Sequence, residues 1–131
     1  MKANLELVFS QLRQMLRKRN KGLSVKEDTP LSFCLEARVG PSTIEAWKGK
    51  LRMEKIPVAW VQVGKGYVSF HLMGLDKNPN LQEALSEKLR SHMQGKTCFN
   101  FKNPDQILFE ELEQVTHRAI DAFRKAGYVA D

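Results

Sequence analysis

The chain of 131 residues is 42% hydrophobic and 27% charged, a balance that fits one globular domain over 1–131 and leaves little room for two. No apolar run approaches the roughly 18 to 20 residues that span a bilayer, and the N-terminus lacks the apolar stretch and cleavage site of a signal peptide, so a soluble cytoplasmic protein with no membrane partner is expected. Two cysteines 64 positions apart, Cys34 and Cys98, exclude a disulfide framework and a thiolate metal cluster, while the net charge of +6 sits in the first half, where residues 1–65 hold 13 Lys and Arg against 6 Asp and Glu.

Leu5, Val8, Phe9, Leu12, Met15 and Leu16 recur at helical spacing, which predicts an amphipathic helix over residues 4–19. Its other face carries Arg13, Arg17 and Lys18, and with Arg19 these cations oppose the partial negative charge of the helix C-terminus before Gly22 stops it. From Leu23 to Met73 the period changes to two. Leu31, Phe33, Leu35 and Ala37 alternate with Ser32, Cys34, Glu36 and Arg38, a strand with one packed and one wetter face, broken by Gly40-Pro41-Ser42. Residues 43–54 read as a twisted or bulged strand, with Trp47, Leu51 and Met53 on one parity and Gly49 weakening the run.

The hairpin after Pro57 has a derivable register. A two-residue turn at Lys65-Gly66 sets Val63 opposite Val68, Val61 opposite Phe70 and Ala59 opposite Leu72, and it sets Gln62 opposite Ser69 and Trp60 opposite His71. One face is then wholly apolar. A loop from Gly64 to Gly66 would instead carry Gln62 onto the apolar side.

After Asn78-Pro79, Leu81, Leu85, Leu89 and Met93 are spaced by four, which predicts a helix or two short helices with Ser86 as an internal cap and Gly95 as the end. Cys98-Phe99-Asn100-Phe101 reads as a short strand with both rings on one side. Asn103-Pro104-Asp105-Gln106 predicts a helix start with Asn103 as N-cap, Pro104 in the first position and Gln106 closing a capping box. Leu108, Leu112, Val115, Ala119, Ala122, Phe123 and Ala126 form the expected buried stripe, ended by Gly127. Helices at both ends can cover one face of an antiparallel meander, giving an α+β two-layer sandwich.

Little in this pattern encodes chemistry. Gly95-Lys96-Thr97 ends like a phosphate loop, but Arg90 replaces the first Gly and a helix precedes it, and no GxSxG, HExxH or Gly-rich dinucleotide motif is present. An enzyme is therefore disfavoured, no cofactor is expected, and a small-ligand or partner-binding accessory protein is the leading reading. On the hairpin's second face Trp60, Gln62, Tyr67, Ser69 and His71 project together, with Lys96 and Asn100 nearby if the short strand adds there. These residues offer stacking surface, donors, acceptors and one group titrating near neutral pH, which suits a small anionic or aromatic ligand. The competing reading is a second packed layer with satisfied polar tips. Glu110, Glu113, His117 and Asp121 share one face of the last helix, as a solvated charge stripe or a weak cation site. The basic half, with Lys96, Phe99, Phe101 and Lys102, raises a nucleic-acid or acidic-protein binder as an alternative, although both rings point to the expected core side.

Tyr67-Val68-Ser69-Phe70-His71-Leu72-Met73 and Met93-Gln94-Gly95-Lys96-Thr97-Cys98-Phe99-Asn100-Phe101, with Leu108-Phe109-Glu110-Glu111-Leu112, resemble the YdhG-like family of small bacterial domains over about three quarters of the chain. The resemblance implies a frataxin-like fold, with an antiparallel sheet of about five strands and both terminal helices on one face. It also implies iron as a possible cargo, since some relatives are described as frataxin-like iron chaperones. The frataxin pattern relies on an acidic first helix, however, and here Glu6 stands among Lys2, Arg13, Arg17, Lys18 and Arg19. No iron residue carries over by position.

Overall fold

The structure, a computed structural model, describes residues 2–18, 23–38, 55–75, 79–95 and 97–125. The expectations for Arg19, Gly22, Gly40-Pro41-Ser42, the strand over 43–54, Asn78, Lys96, Ala126 and Gly127, and for the side chain of Phe123, lie outside the described residues.

Helix α1 (Lys2–Arg17) buries the predicted stripe: Leu5, Val8, Phe9, Leu12, Met15 and Leu16 are each at most 7% exposed. Arg13, expected on the solvated face, is anchored instead. Its Nε donates to Asp28 Oδ1 at 2.9 Å and its guanidinium lies 5.6 Å from the centre of the Phe33 ring, tying the helix to the first hairpin.

That hairpin pairs β1 (Ser24–Thr29) with β2 (Ser32–Arg38). Phe33, Leu35 and Ala37 are buried as the alternation requires, but Leu31 is 62% exposed. Leu31 sits in the turn, its N–H on Thr29 Oγ1 and its carbonyl accepting from the Val63 N–H, so strand parity does not reach it. Strand β3 (Lys55–Val63) pairs with β2 through an irregularity: Leu35 faces Ala59 and Glu36 faces Pro57, leaving Val58 as the extra residue. This bulge lets consecutive Val58 and Ala59 both point inward, fully buried.

Strand β4 (Val68–Leu72) returns in the predicted register, Ala59 to Leu72, Trp60 to His71, Val61 to Phe70, Gln62 to Ser69 and Val63 to Val68. The Gly64 N–H bonds the Tyr67 carbonyl at 2.7 Å, closing a two-residue turn at Lys65-Gly66. Val61, Val68, Phe70 and Leu72 are fully buried, and Val63 at the turn end is half-buried.

A 3-10 turn (Met73–Leu75) leads to α2 (Pro79–Glu83) and α3 (Glu87–Arg90), two short helices rather than one, with Ser86 between them as N-cap and the second ending at Arg90, ahead of Gly95. The Ser86 hydroxyl accepts from the Leu89 N–H at 3.1 Å, and Ser86 N–H and Oγ both donate to the Glu111 carboxylate. The cap thus also docks α3 on α4 (Gln106–Lys125). Strand β5 (Cys98–Phe101) completes the antiparallel sheet in the order β1-β2-β3-β4-β5. Its outer edge is shielded by residues 92–94: Gln94 N–H bonds the Cys98 carbonyl and Asn100 N–H bonds the His92 carbonyl, each at 2.8 Å. Gly95 makes the return possible with φ +82°, a left-handed conformation costly for a side chain.

Helix α4 corrects the predicted cap. The helix begins at Gln106 and Asp105 is the cap, its Oδ1 accepting the Leu108 N–H at 3.1 Å. Asn103 is not the cap, because its Oδ1 is taken by Asn4 of α1 at 3.0 Å, and Gln106 cannot close a capping box from the first helical position. The buried stripe includes Leu108, Leu112, Val115 and Ala119 as expected, and also Phe109, Thr116 and Ile120. Phe109 meets Phe101 edge to face at 5.1 Å, and Thr116 returns its hydroxyl to the Leu112 carbonyl, so no buried donor is left unpaired there. One apolar layer between helices and sheet results, an α+β two-layer sandwich. No described helix is long and apolar enough to cross a membrane.

Removal of the cap by Ser86→Ala lowers unfolding stability by about 1 kcal/mol with an unchanged m-value. Asn103→Ala, outside any cap, costs less. Urea denaturation of the two variants checks both the α3 cap and the corrected start of α4.

Candidate functional site

Paired residues of an antiparallel sheet share a face, so the ladder fixes what the side opposite the helices presents. Thr29, Ser32, Gln62, Ser69 and Asn100 form one line across all five strands; Glu27, Cys34, Trp60, His71 and Cys98 form the next. The first line is entirely polar. The second places an aromatic pair between two thiols.

Trp60 and His71 stack at 4.6 Å between ring centres, tilted by 12°. His71 Nε2 is 3.6 Å from Cys98 Sγ, and that sulfur is 3.6 Å from Asn100 Oδ1. Burial pushes the His71 imidazole below its ordinary pKa and the Cys98 thiol above its own. The contact is therefore one of neutral thiol with neutral imidazole. An activated nucleophile would require the reverse shifts, toward thiolate and imidazolium. Cys34, buried beside Trp60's strand, is likewise pushed up, chiefly by burial with Lys26 opposing.

Two clefts flank this central pair. One, of about 260 Å³, lies over β1, β2 and β3 and is lined by Lys26, Glu27, Ser32, Cys34, Pro57, Trp60 and Gln62. The other, of about 440 Å³, lies beyond the β5 edge and is lined by Tyr67, His92, Asn100, Lys102, Asn103, Pro104, Asp105 and Leu108. The residues singled out from sequence are divided between them: Trp60 and Gln62 line the first, Tyr67 and Asn100 the second, and Ser69 and His71 line neither. Ser69 Oγ makes a long 3.5 Å bond to the Gln62 carbonyl.

In the larger cleft, His92 was not foreseen. Its ring stacks on Phe101 at 4.9 Å, and its Nδ1 lies 2.9 Å from the Asn100 carbonyl. A carbonyl only accepts, so Nδ1 carries a proton and donates it. Asp105 is held below the usual carboxylate range, first by the Leu108 N–H and then by Lys88, whose Nζ is 3.2 Å from Oδ2. The Asn103-Pro104-Asp105 turn was legible as a helix start but not as a cleft wall, since that role depends on β5 lying alongside.

Among the described residues no three His, Cys, Asp or Glu side chains are grouped to hold a metal ion. On α4, Glu110 and His117 are exposed and Glu113 and Asp121 half-buried.

The depressed pKa of His71 makes stability pH-dependent. As pH falls below about 6.5 the unfolded chain takes up this proton before the folded one does, so the His71 contribution to stability declines from there until the folded ring also protonates, and that contribution is constant above. His71→Gln removes that component of the slope. Urea midpoints at pH 7.5 and 5.5, wild type against variant, give the result.

No family model matches the chain, and neither a curated protein nor a solved structure does; the likeness to the YdhG-like family rests on the sequence motifs alone.

Proposed function

We propose that the chain is a non-enzymatic binding domain whose β5-edge cleft holds a small carboxylate with an apolar body. One observation carries this reading: the side-chain oxygens of Asn100, Asn103 and Asp105 are already engaged, while among the described residues the amide, hydroxyl and ammonium donors of the cleft are not. Asn103 Oδ1 takes the Asn4 amide, Asn100 Oδ1 faces the Cys98 thiol, the Asn100 carbonyl takes His92, and the Asp105 carboxylate holds the Leu108 N–H and Lys88. What remains toward a guest is the two Asn amide groups, the Tyr67 hydroxyl, the Lys102 ammonium and His92 Nε2. Such a donor-rich wall favours an oxyanion. Leu108, Pro104 and the Tyr67 ring supply apolar wall, and about 440 Å³ is above the roughly 300 Å³ at which small-molecule sites begin. The neutral Cys98–His71 contact supports a binding role over a catalytic one.

Benzoate is the probe, with inorganic phosphate as the oxyanion lacking an apolar body. Benzoate at about one hundred times its Kd stabilises the fold by roughly 2.7 kcal/mol, a rise in Tm of about 10 °C for a chain of this size. Lys102→Met abolishes most of the shift. No shift with benzoate at 10 mM, or an equal shift in the variant, overturns the reading; a shift with phosphate alone keeps the oxyanion and removes the apolar body.

A further inference from the structure

The smaller cleft, over β1–β3, carries a second and chemically different site. Trp60 has one face against His71 of β4, and its other side borders the cleft toward β1 and β2. A half-exposed indole with one covered face is a stacking platform for a single flat ring. The floor beside it holds an unusual group: Ser32 Oγ is buried from solvent and has no hydrogen-bond partner among the described residues. An orphaned buried hydroxyl is costly, and a structure that keeps one next to a cavity has a position where a guest atom restores the bond. Ser32 pairs in register with Gln62, so their polar ends lie side by side on the same face.

We infer that this cleft binds a flat bicyclic heterocycle with a polar edge, of the purine class, stacked on Trp60 and read at its edge by Ser32 and Gln62. The Gln62 amide offers one acceptor and two donors, and the Ser32 hydroxyl either role, which matches a ring edge that alternates ring nitrogens with amino or carbonyl groups. Glu27 and Lys26 at the β1 side add an acceptor for an amino group and a cation for an anionic substituent. Size restricts the guest to one ring system, because about 260 Å³ falls below the roughly 300 Å³ of drug-sized sites. This site is independent of the β5-edge cleft, with which it shares no lining residue.

The test uses the full chain with Trp47→Phe, which leaves Trp60 as its single tryptophan, excited at the red edge where adenosine does not absorb. Adenosine is titrated, with indole as a ring of similar size that has one N–H and no ring acceptor. Saturable quenching by adenosine is expected, and at least several-fold weaker binding of indole, which is read by titration calorimetry because indole shares tryptophan's absorption and emission. Ser32→Ala weakens adenosine by about three- to ten-fold, the value of one hydrogen bond. The same variant keeps or raises Tm without ligand, since the lost hydroxyl has no partner among the described residues. No saturable quenching by adenosine at 5 mM, equal affinity for indole, or a drop in Tm for Ser32→Ala each overturns the proposal. Unchanged adenosine binding in Lys102→Met supports it and separates it from the β5-edge cleft; loss of binding in that variant places the ring in the other cleft and overturns it.

Discussion

The register of the β3–β4 hairpin is the constraint on which the rest depends. A sheet's side chains alternate with a period of two, so a slip of one residue would exchange the two faces. The Gly64 N–H on the Tyr67 carbonyl holds the turn to Lys65-Gly66, and from there Val61, Phe70 and Leu72 must meet the helices while Trp60, Gln62 and His71 must not. The neighbouring strands inherit the choice. Phe33 follows Val61 on one side and Phe99 follows Phe70 on the other, and the polar line from Thr29 to Asn100 is the same decision read on the opposite face.

What was legible in the sequence was local or periodic. The α1 stripe, the hairpin register, the Ser86 cap and the two Phe of β5 each follow from spacing within one element. The misses share a cause: they were decided between elements. Leu31 fits the alternation of β2, yet the β1–β2 turn draws it out of the strand. Asn103 and Asp105 are equally good cap residues by type, and the choice is made by Asn4 of a helix about a hundred positions away. Phe109, Thr116 and Ile120 widen the α4 stripe because that helix touches α1 and β5 together, with Thr116 beside Met15 and Phe109 against Phe101.

The candidate site shows the same division. Trp60, Gln62, Ser69 and His71 were placed on one face by parity alone, and they share it. Parity does not say where that face is hollow. The two clefts are made at its margins, where β1 and the bulge near Pro57 border one and the turn into α4 borders the other. His92 could not be found by pattern, because its role arises from backbone pairing of residues 92–94 with β5.

Between the clefts stands an uncharged ridge, and its neutrality has consequences for both. Burial disfavours the imidazolium of His71 and the thiolate of Cys98 alike, so near neutral pH the ridge places no ionic charge between the two sites. Lys102 at one margin and Lys26 with Glu27 at the other then act on their own clefts with little interference from the middle. Protonation of His71 at lower pH would set a cation against the indole of Trp60. The stack itself tolerates that through cation–π attraction, but the charge lies on the boundary of the smaller cleft and beside the Cys98–Asn100 contact of the larger. The ring that stands between the two sites is thus also a group through which pH reaches both.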